Sequence, residues 1–357
     1  MLEGVKSMHS ERNYGIDLLR LVLMFMVCLL HILGQGGVLA ASSVDSTAFG
    51  AFGFLKVCAY CAVDGFAIIS GYVSSNREQK WHKIVNMWFQ VVFYSFVLTA
   101  VFHLFGVGSE MGIREWIRSL LPVTGSYFWY FTAYFALFFA MPVLNRFIDP
   151  LSPETARKAM VIIIVLFSGI GLPDDAFAMR GGYSTLWLIV LYCMGGLAKK
   201  TNLFSKKKSF PLIVLYLGLT TLSWGVYMLF KESRLVSYIA PTMLFNALIL
   251  VVLFSRIRIK GAIVGKLSPL AFGVYLFQLN SVVWKDILKD SLRFIASEPL
   301  AVGLCYVIFF SAVLFAAGLI VEWLRSRIAK ALRIPALSQK IVNLSGKLLS
   351  KAAVIFR

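Results

Sequence analysis

Long apolar runs separated by short polar ones dominate the chain. Ten such runs, at about residues 15–36, 54–74, 84–106, 126–147, 158–173, 183–199, 210–230, 237–254, 267–287 and 299–323, approach or exceed the length at which a helix crosses a bilayer. The pattern predicts an all-α, polytopic membrane protein with about ten transmembrane helices, the fifth and sixth of them short. No long polar block interrupts the runs, so residues 1–323 read as one transmembrane domain. Residues 324–357 read differently, as a basic amphipathic cytoplasmic tail. From Lys340 on, Ile341, Leu344, Leu348, Ala352 and Ile355 share one helical face, and Lys340, Lys347 and Lys351 share another. Such a helix either lies on an anionic leaflet or packs on its own protein. Pro335 separates it from the last span.

Composition agrees. Of the 357 residues, 59% are hydrophobic and 15% charged, against about 45–50% and 25% in soluble domains. The net charge of +18 does not call for nucleic acid, because its distribution accounts for it. With a cytoplasmic N-terminus, twenty-five Lys and Arg fall on the inside and nine on the outside, and Arg20 lies within a span. This is the positive-inside bias, and it places both termini in the cytoplasm of a multi-pass protein of the cell inner (plasma) membrane. The first apolar stretch is too long for a cleavable signal peptide and runs on into His31.

The five cysteines all sit in apolar stretches, which argues against a disulfide framework. Cys58 and Cys61 form a CxxC with no second Cys/His pair nearby, so small helix-packing residues explain them better than a metal site. His9 and His82 read as cytoplasmic surface residues and His103 as interfacial. No metal is expected.

Chemistry concentrates in the first span, RNYGIDLLRLVLMFMVCLLHILGQ, which carries Asp17, Arg20 and His31. Ionisable groups inside a span are costly and face the protein interior, so each marks a candidate functional position. Arg20 and His31 are eleven residues apart, close to three helical turns, and Asp17 precedes Arg20 by three. All three therefore share one stripe, with a cation near one membrane face and an imidazole roughly 16 Å deeper at ~1.5 Å per residue. Asp17 is expected to pair with Arg20. The second span contains VDGFAIISGYV, with Asp64 near mid-membrane. Asp64 either lines a cavity or forms a structural pair with a cation, Arg20, His31 and Lys56 being available. Ser70 and Gly71 let helices approach closely. In the fourth span, Phe128, Trp129 and Tyr130 look like an interfacial belt, as does Trp187 in the sixth. Gln278 and Asn280 in the ninth are polar at membrane depth and either bond another helix or face a cavity.

These stretches resemble the acyltransferase-three family of integral membrane acyltransferases. Arg20 and His31 with ten residues between them look like its first-helix motif, and VDGFAIISGYV is similar to its second-helix signature. FWYFTAYFALFFAMPVLNRFI, GYSTLWLIVLYCMGGLAKK and FGVYLFQLN resemble later elements, and together the likeness covers roughly residues 12–325. One departure is Gln278, where family members often carry His; a Gln cannot titrate there.

The resemblance implies an O-acyltransferase that moves an acyl group, most often acetyl from acetyl-CoA, onto a hydroxyl of a cell-surface or lipid-linked glycan. Acyl-CoA, a glycan or lipid-linked saccharide acceptor and membrane lipids are the expected partners. It implies His31 as the catalytic residue and Arg20 as its essential partner; from their own placement in the spans, Asp64 and Asp17 are candidates to orient and stabilise the imidazolium. A neutral His31 suits general base catalysis; an acyl-imidazole intermediate is the other route. Arg77, Lys80 and Lys83 are candidates for the donor's phosphates, since cations near the cytoplasmic face suit them. Ser70 and Tyr72 are further candidates for donor contacts. Two competing readings start from the same residues. Buried Asp, Arg and His also serve proton-coupled carriers of glycans or small molecules, but the two halves show no internal repeat and the charges cluster in the first two spans. A structural ion network in a scaffold leaves His31 and its spacing unexplained.

Overall fold

A computed structural model describes residues 12–74, 78–230 and 233–355. Those residues form helices and turns with no strand among them. We label the long helices α1 (Tyr14–Leu33), α2 (Thr47–Tyr60), α3 (Ala62–Ser74), α4 (His82–Leu104), α5 (Trp129–Ile148), α6 (Pro153–Ile163), α7 (Thr185–Lys200), α8 (Ser209–Phe230), α9 (Pro241–Ser255), α10 (Ala271–Gln278), α11 (Leu300–Ala331) and α12 (Ile334–Ile355).

Among the described residues, seven helical segments are long and apolar enough to cross a membrane, or eight if the bent pair Ala262–Gln278 and Val283–Ser297 counts as one span. The expected fifth and sixth spans fall outside this set. The fifth, α6 with its π-helical continuation Ile164–Ile170, carries Glu154, Arg157 and Lys158 in its first turns. The sixth, α7, is 16 residues long. The ninth bends by 71° because Asn280 ends α10. Its side-chain oxygen accepts from the Val282 amide at 3.0 Å, and its amide donates to the Tyr94 carbonyl and to Thr99 Oγ1, both at 2.7 Å. Tyr94 lies in a π-helical turn of α4, Phe93–Val97, where the widened ladder suits an outside donor.

The first helix is central. Asn13 caps it by accepting from the Ile16 amide at 3.2 Å, and twelve of its twenty residues are buried. It packs on α2, α3, α9, α10 and α11. In α8, by contrast, only Leu212, Thr220 and Ser223 are buried, as befits a peripheral, lipid-facing helix.

Lipid tails are as apolar as leucine, so burial alone does not hold such helices together; close approach and hydrogen bonds do. The tightest approach is between α3 and α7. A Cβ on Gly71 would collide with the Tyr192 carbonyl, and one on Gly195 with the Ile68 carbonyl. Polar pairs tie α8 to α9, with Ser223 bonded to Thr242 at 2.8 Å and Asn246 to Thr220 at 3.0 Å. A buried ion pair ties α11 to α4. Arg325 forks onto Glu322 at 2.7 and 2.8 Å, and Glu322 accepts from the Tyr94 hydroxyl at 3.0 Å.

The last apolar helix runs without a break through residue 324 to Ala331. The chain turns at Leu332 and Arg333, whose φ is +54°, and Pro335 then sits in the first turn of α12, where its missing N–H costs nothing. The amphipathic tail helix packs against α4, with the Ser338 hydroxyl 2.7 Å from Asn86 Oδ1. The side chains of Lys351, Ala352 and Ile355 lie outside the described residues.

Candidate active site

A cavity of about 580 Å³ opens beside α1, within the usual range for small-molecule sites. Both Arg20 and His31 line it. It therefore follows their stripe through three helical turns, from Ser70 and Ser268 near the arginine to Gln35 and Trp284 near the histidine.

At the arginine end, Arg20 Nη1 donates to Asp17 Oδ1 at 2.6 Å. Asp17 also accepts from Arg12 Nε at 2.6 Å and from the Ser268 hydroxyl at 3.3 Å. It is buried and almost fully engaged. Its work is to hold Arg20, whose remaining guanidinium donors face the cavity.

At the histidine end, His31 Nδ1 lies 2.9 Å from Gln278 Oε1. An amide oxygen only accepts, so Nδ1 carries the proton and the neutral ring keeps its lone pair on Nε2. Gln278 is fully buried, and its amide nitrogen points at Met24 Sδ at 3.7 Å. Trp284 packs its edge on the imidazole, with ring centroids 4.8 Å apart, and Gln35 pins Trp284 by donating to its carbonyl at 2.9 Å. The ring is thus fixed from two sides.

The other expected residues are dispersed. Asp64 is fully buried but is not part of the cavity wall. Its Oδ1 accepts from Trp187 Nε1 at 3.0 Å, and its Oδ2 has no partner among the described residues. None of the three cations considered for it is in contact. Ser70 reaches the cavity while bonding the Phe66 carbonyl at 3.0 Å. Tyr72 faces away, with Lys199 5.3 Å over its ring. Lys80 and Lys83 are exposed and do not line the cavity, and Arg77 lies outside the described residues. Among the described residues no cluster of His, Cys, Asp or Glu is placed to hold a metal.

Two sequence readings are corrected here. Trp129 and Tyr130 are not an outward belt: Phe128 is fully buried, and the other two line the cavity. Trp187, likewise, is buried against Asp64 rather than at a surface. Interfacial belts and buried aromatic clusters have the same composition, and only packing separates them. The signal missed was spacing: Trp129, Tyr130 and Tyr134 fall on neighbouring turns of α5 and turn inward together. Lys56, Tyr60, Tyr183 and Tyr238 also line the cavity; of these, only Tyr183 falls in a family-like stretch.

This is a multi-pass helical membrane protein with a stripe of ionisable side chains along a cavity. Its sequence matches the acyltransferase-three domain family, described as an acyltransferase domain, over residues 13–323. The chain belongs to that family, and membership supports a membrane acyltransferase. No curated protein and no solved structure matches the chain.

Proposed function

We propose that the protein transfers an acetyl group from acetyl-CoA to a hydroxyl of a surface or lipid-linked glycan, with His31 as general base. The observation that carries this reading is that Arg20 and His31 open from one helix onto one cavity. A long, thin donor anchored by its phosphates at Arg20 extends along α1 and presents its thioester to the imidazole. The positive-inside bias supports a cytoplasmic arginine end, the side on which acyl-CoA is found, in a bacterial inner membrane.

The hydrogen bond to Gln278 leaves His31 Nε2 free to take a proton. As the acceptor oxygen attacks the thioester carbonyl, its proton passes to Nε2. The C–S bond then breaks, and the imidazolium returns the proton to the departing thiolate. Products are the acetyl ester and free CoA. A positioned base of this kind contributes roughly 10²–10⁴ in rate. Gln278 orients the ring without titrating.

The test uses membranes that hold wild type or His31→Ala at matched levels, radioactive acetyl-CoA, and label counted in glycan. Label with wild type alone supports the reading. Equal label in both removes His31 from the chemistry.

A further inference from the structure

Lys56, one of the nine cations on the outer side, sits half-buried at the tenth position of the 28-residue segment Thr47–Ser74 and belongs to the walls of two cavities. One is the cavity of Arg20 and His31. The other, of about 590 Å³, lies between α2, α8 and the loops before α7 and α9, with Phe49, Tyr227, Asp174 and Asp175 among its walls. Lys56, Tyr60 and Tyr183 are common to both, so the lysine stands at their junction.

Lys56 makes no hydrogen bond or ion pair with any described residue. The nearby Asp175 spends its oxygens on its own loop, accepting from the Met179 and Arg180 amides at 2.8 and 2.7 Å. A half-buried cation that pairs with neither Asp174 nor Asp175, both on the wall of the second cavity, is costly. It is explained if the occupant of the junction supplies the charge.

The rest of the junction suits a sugar. Tyr60 stacks on Tyr238 with centroids 4.6 Å apart and planes 23° apart, and Trp129 lies parallel to Tyr238 at the same angle, 6.3 Å away. Tyr183 closes the collar, 4.6 Å from Trp129 and 5.1 Å from Tyr238. Rings stacked in this way spend those faces on one another, so they offer the cavity their edges and phenolic oxygens, which can bond the hydroxyls of a pyranose. The collar and His31 line the same cavity, so a ring seated here and the proposed base share one space.

We propose that this junction is the acceptor site and that the acceptor is an anionic saccharide, its carboxylate or phosphate held by Lys56. The inference rests on the acyltransferase reading and deepens it by naming the class of acceptor.

The test titrates the purified full-length protein, in nanodiscs and without acetyl-CoA, with three probes followed by tryptophan fluorescence. These are p-nitrophenyl β-D-glucuronide, α-D-glucosyl phosphate and the neutral p-nitrophenyl β-D-glucoside. At least one anionic probe is expected to bind about tenfold or more tighter than the neutral one, the scale of one charge-assisted hydrogen bond. Lys56→Met is expected to erase that advantage and Lys56→Arg to keep it. The affinity for acetyl-CoA, measured separately, is unchanged in both variants. A preference for the glucuronide identifies a uronic acid type of acceptor; a preference for the phosphate identifies a sugar phosphate. Equal affinity for charged and neutral probes overturns the proposal. So does an advantage that survives Lys56→Met, or a parallel loss of acetyl-CoA affinity, which would assign Lys56 to the donor. Because the titrations contain no donor, a failure of acetyl transfer leaves their result intact.

Discussion

His31 and Gln278 are 247 positions apart in the chain and 2.9 Å apart in the fold. The contact selects the tautomer of the imidazole, since the amide oxygen holds the proton on Nδ1 and leaves Nε2 bare. Replacing Gln278 with Leu removes one acceptor and lets the ring choose either tautomer and rotate. Acetyl transfer is expected to fall about ten- to a hundredfold, in line with the loss of one buried hydrogen bond worth roughly 1–3 kcal/mol. The KM for acetyl-CoA should stay within about twofold, because ring orientation acts on the chemical step. Steady-state kinetics of the reconstituted variant check this.

Asp17 holds Arg20 at one end of the cavity, the end proposed for the donor. Asp17→Asn keeps the shape but removes the charge that two arginines and Ser268 share. The freed guanidinium loses its aim, and the KM for acetyl-CoA should rise roughly tenfold with a smaller change in kcat. Arg20→Lys should be as damaging as Arg20→Ala, within about threefold. A compact ammonium cannot serve the carboxylate and a phosphate at once as a planar fork does.

Asp64 bonds Trp187 and stays clear of the cavity, so its removal tests packing more than chemistry. Trp187→Phe strands both carboxylate oxygens in a buried site and should destabilise the protein by about 1–3 kcal/mol. Asp64→Asn keeps the acceptor for Trp187 Nε1 and should be milder in stability and leave transfer within about threefold. Thermal unfolding in detergent and the label assay separate the two. A collapse of transfer in Asp64→Asn at unchanged stability would place Asp64 in the chemistry instead.

The contact between α3 and α7 depends on the absence of two side chains. Gly71→Ala or Gly195→Ala drives a methyl group into a backbone carbonyl of the facing helix. Neither helix can move without disturbing Trp187 and Asp64. Overpacking of this kind costs about 1–3 kcal/mol or more, and both variants should show reduced folded protein by size-exclusion chromatography. Gly218→Ala, where the new methyl group meets nothing within 4 Å, is the matched control and should behave as wild type.

Local features were legible without the fold. Hydropathy alone identified a helical membrane protein, because a bilayer allows a spanning segment few other ways to satisfy its backbone. The stripe of Asp17, Arg20 and His31 was also legible, because residues on one helix are related by a known rise and rotation, and its ion pair follows from three-residue spacing. The number of crossing helices was less so: α7 is apolar but only 16 residues long and α6 opens with charged turns, and hydropathy reads apolarity more sharply than length. What lies opposite the stripe could not be read at all. That Gln278 meets His31, that Asp64 turns to Trp187 rather than to a cation, that Tyr60, Trp129 and Tyr238 form a collar, and that Lys56 stands unpaired between two cavities all depend on contacts between helices far apart in sequence. In a membrane those contacts are chosen by close packing and a few hydrogen bonds rather than by a hydrophobic drive. Apart from such ionisable stripes, most faces of the spans are apolar enough to meet lipid, so periodicity does not say which face turns inward. That choice is made only when the helices pack.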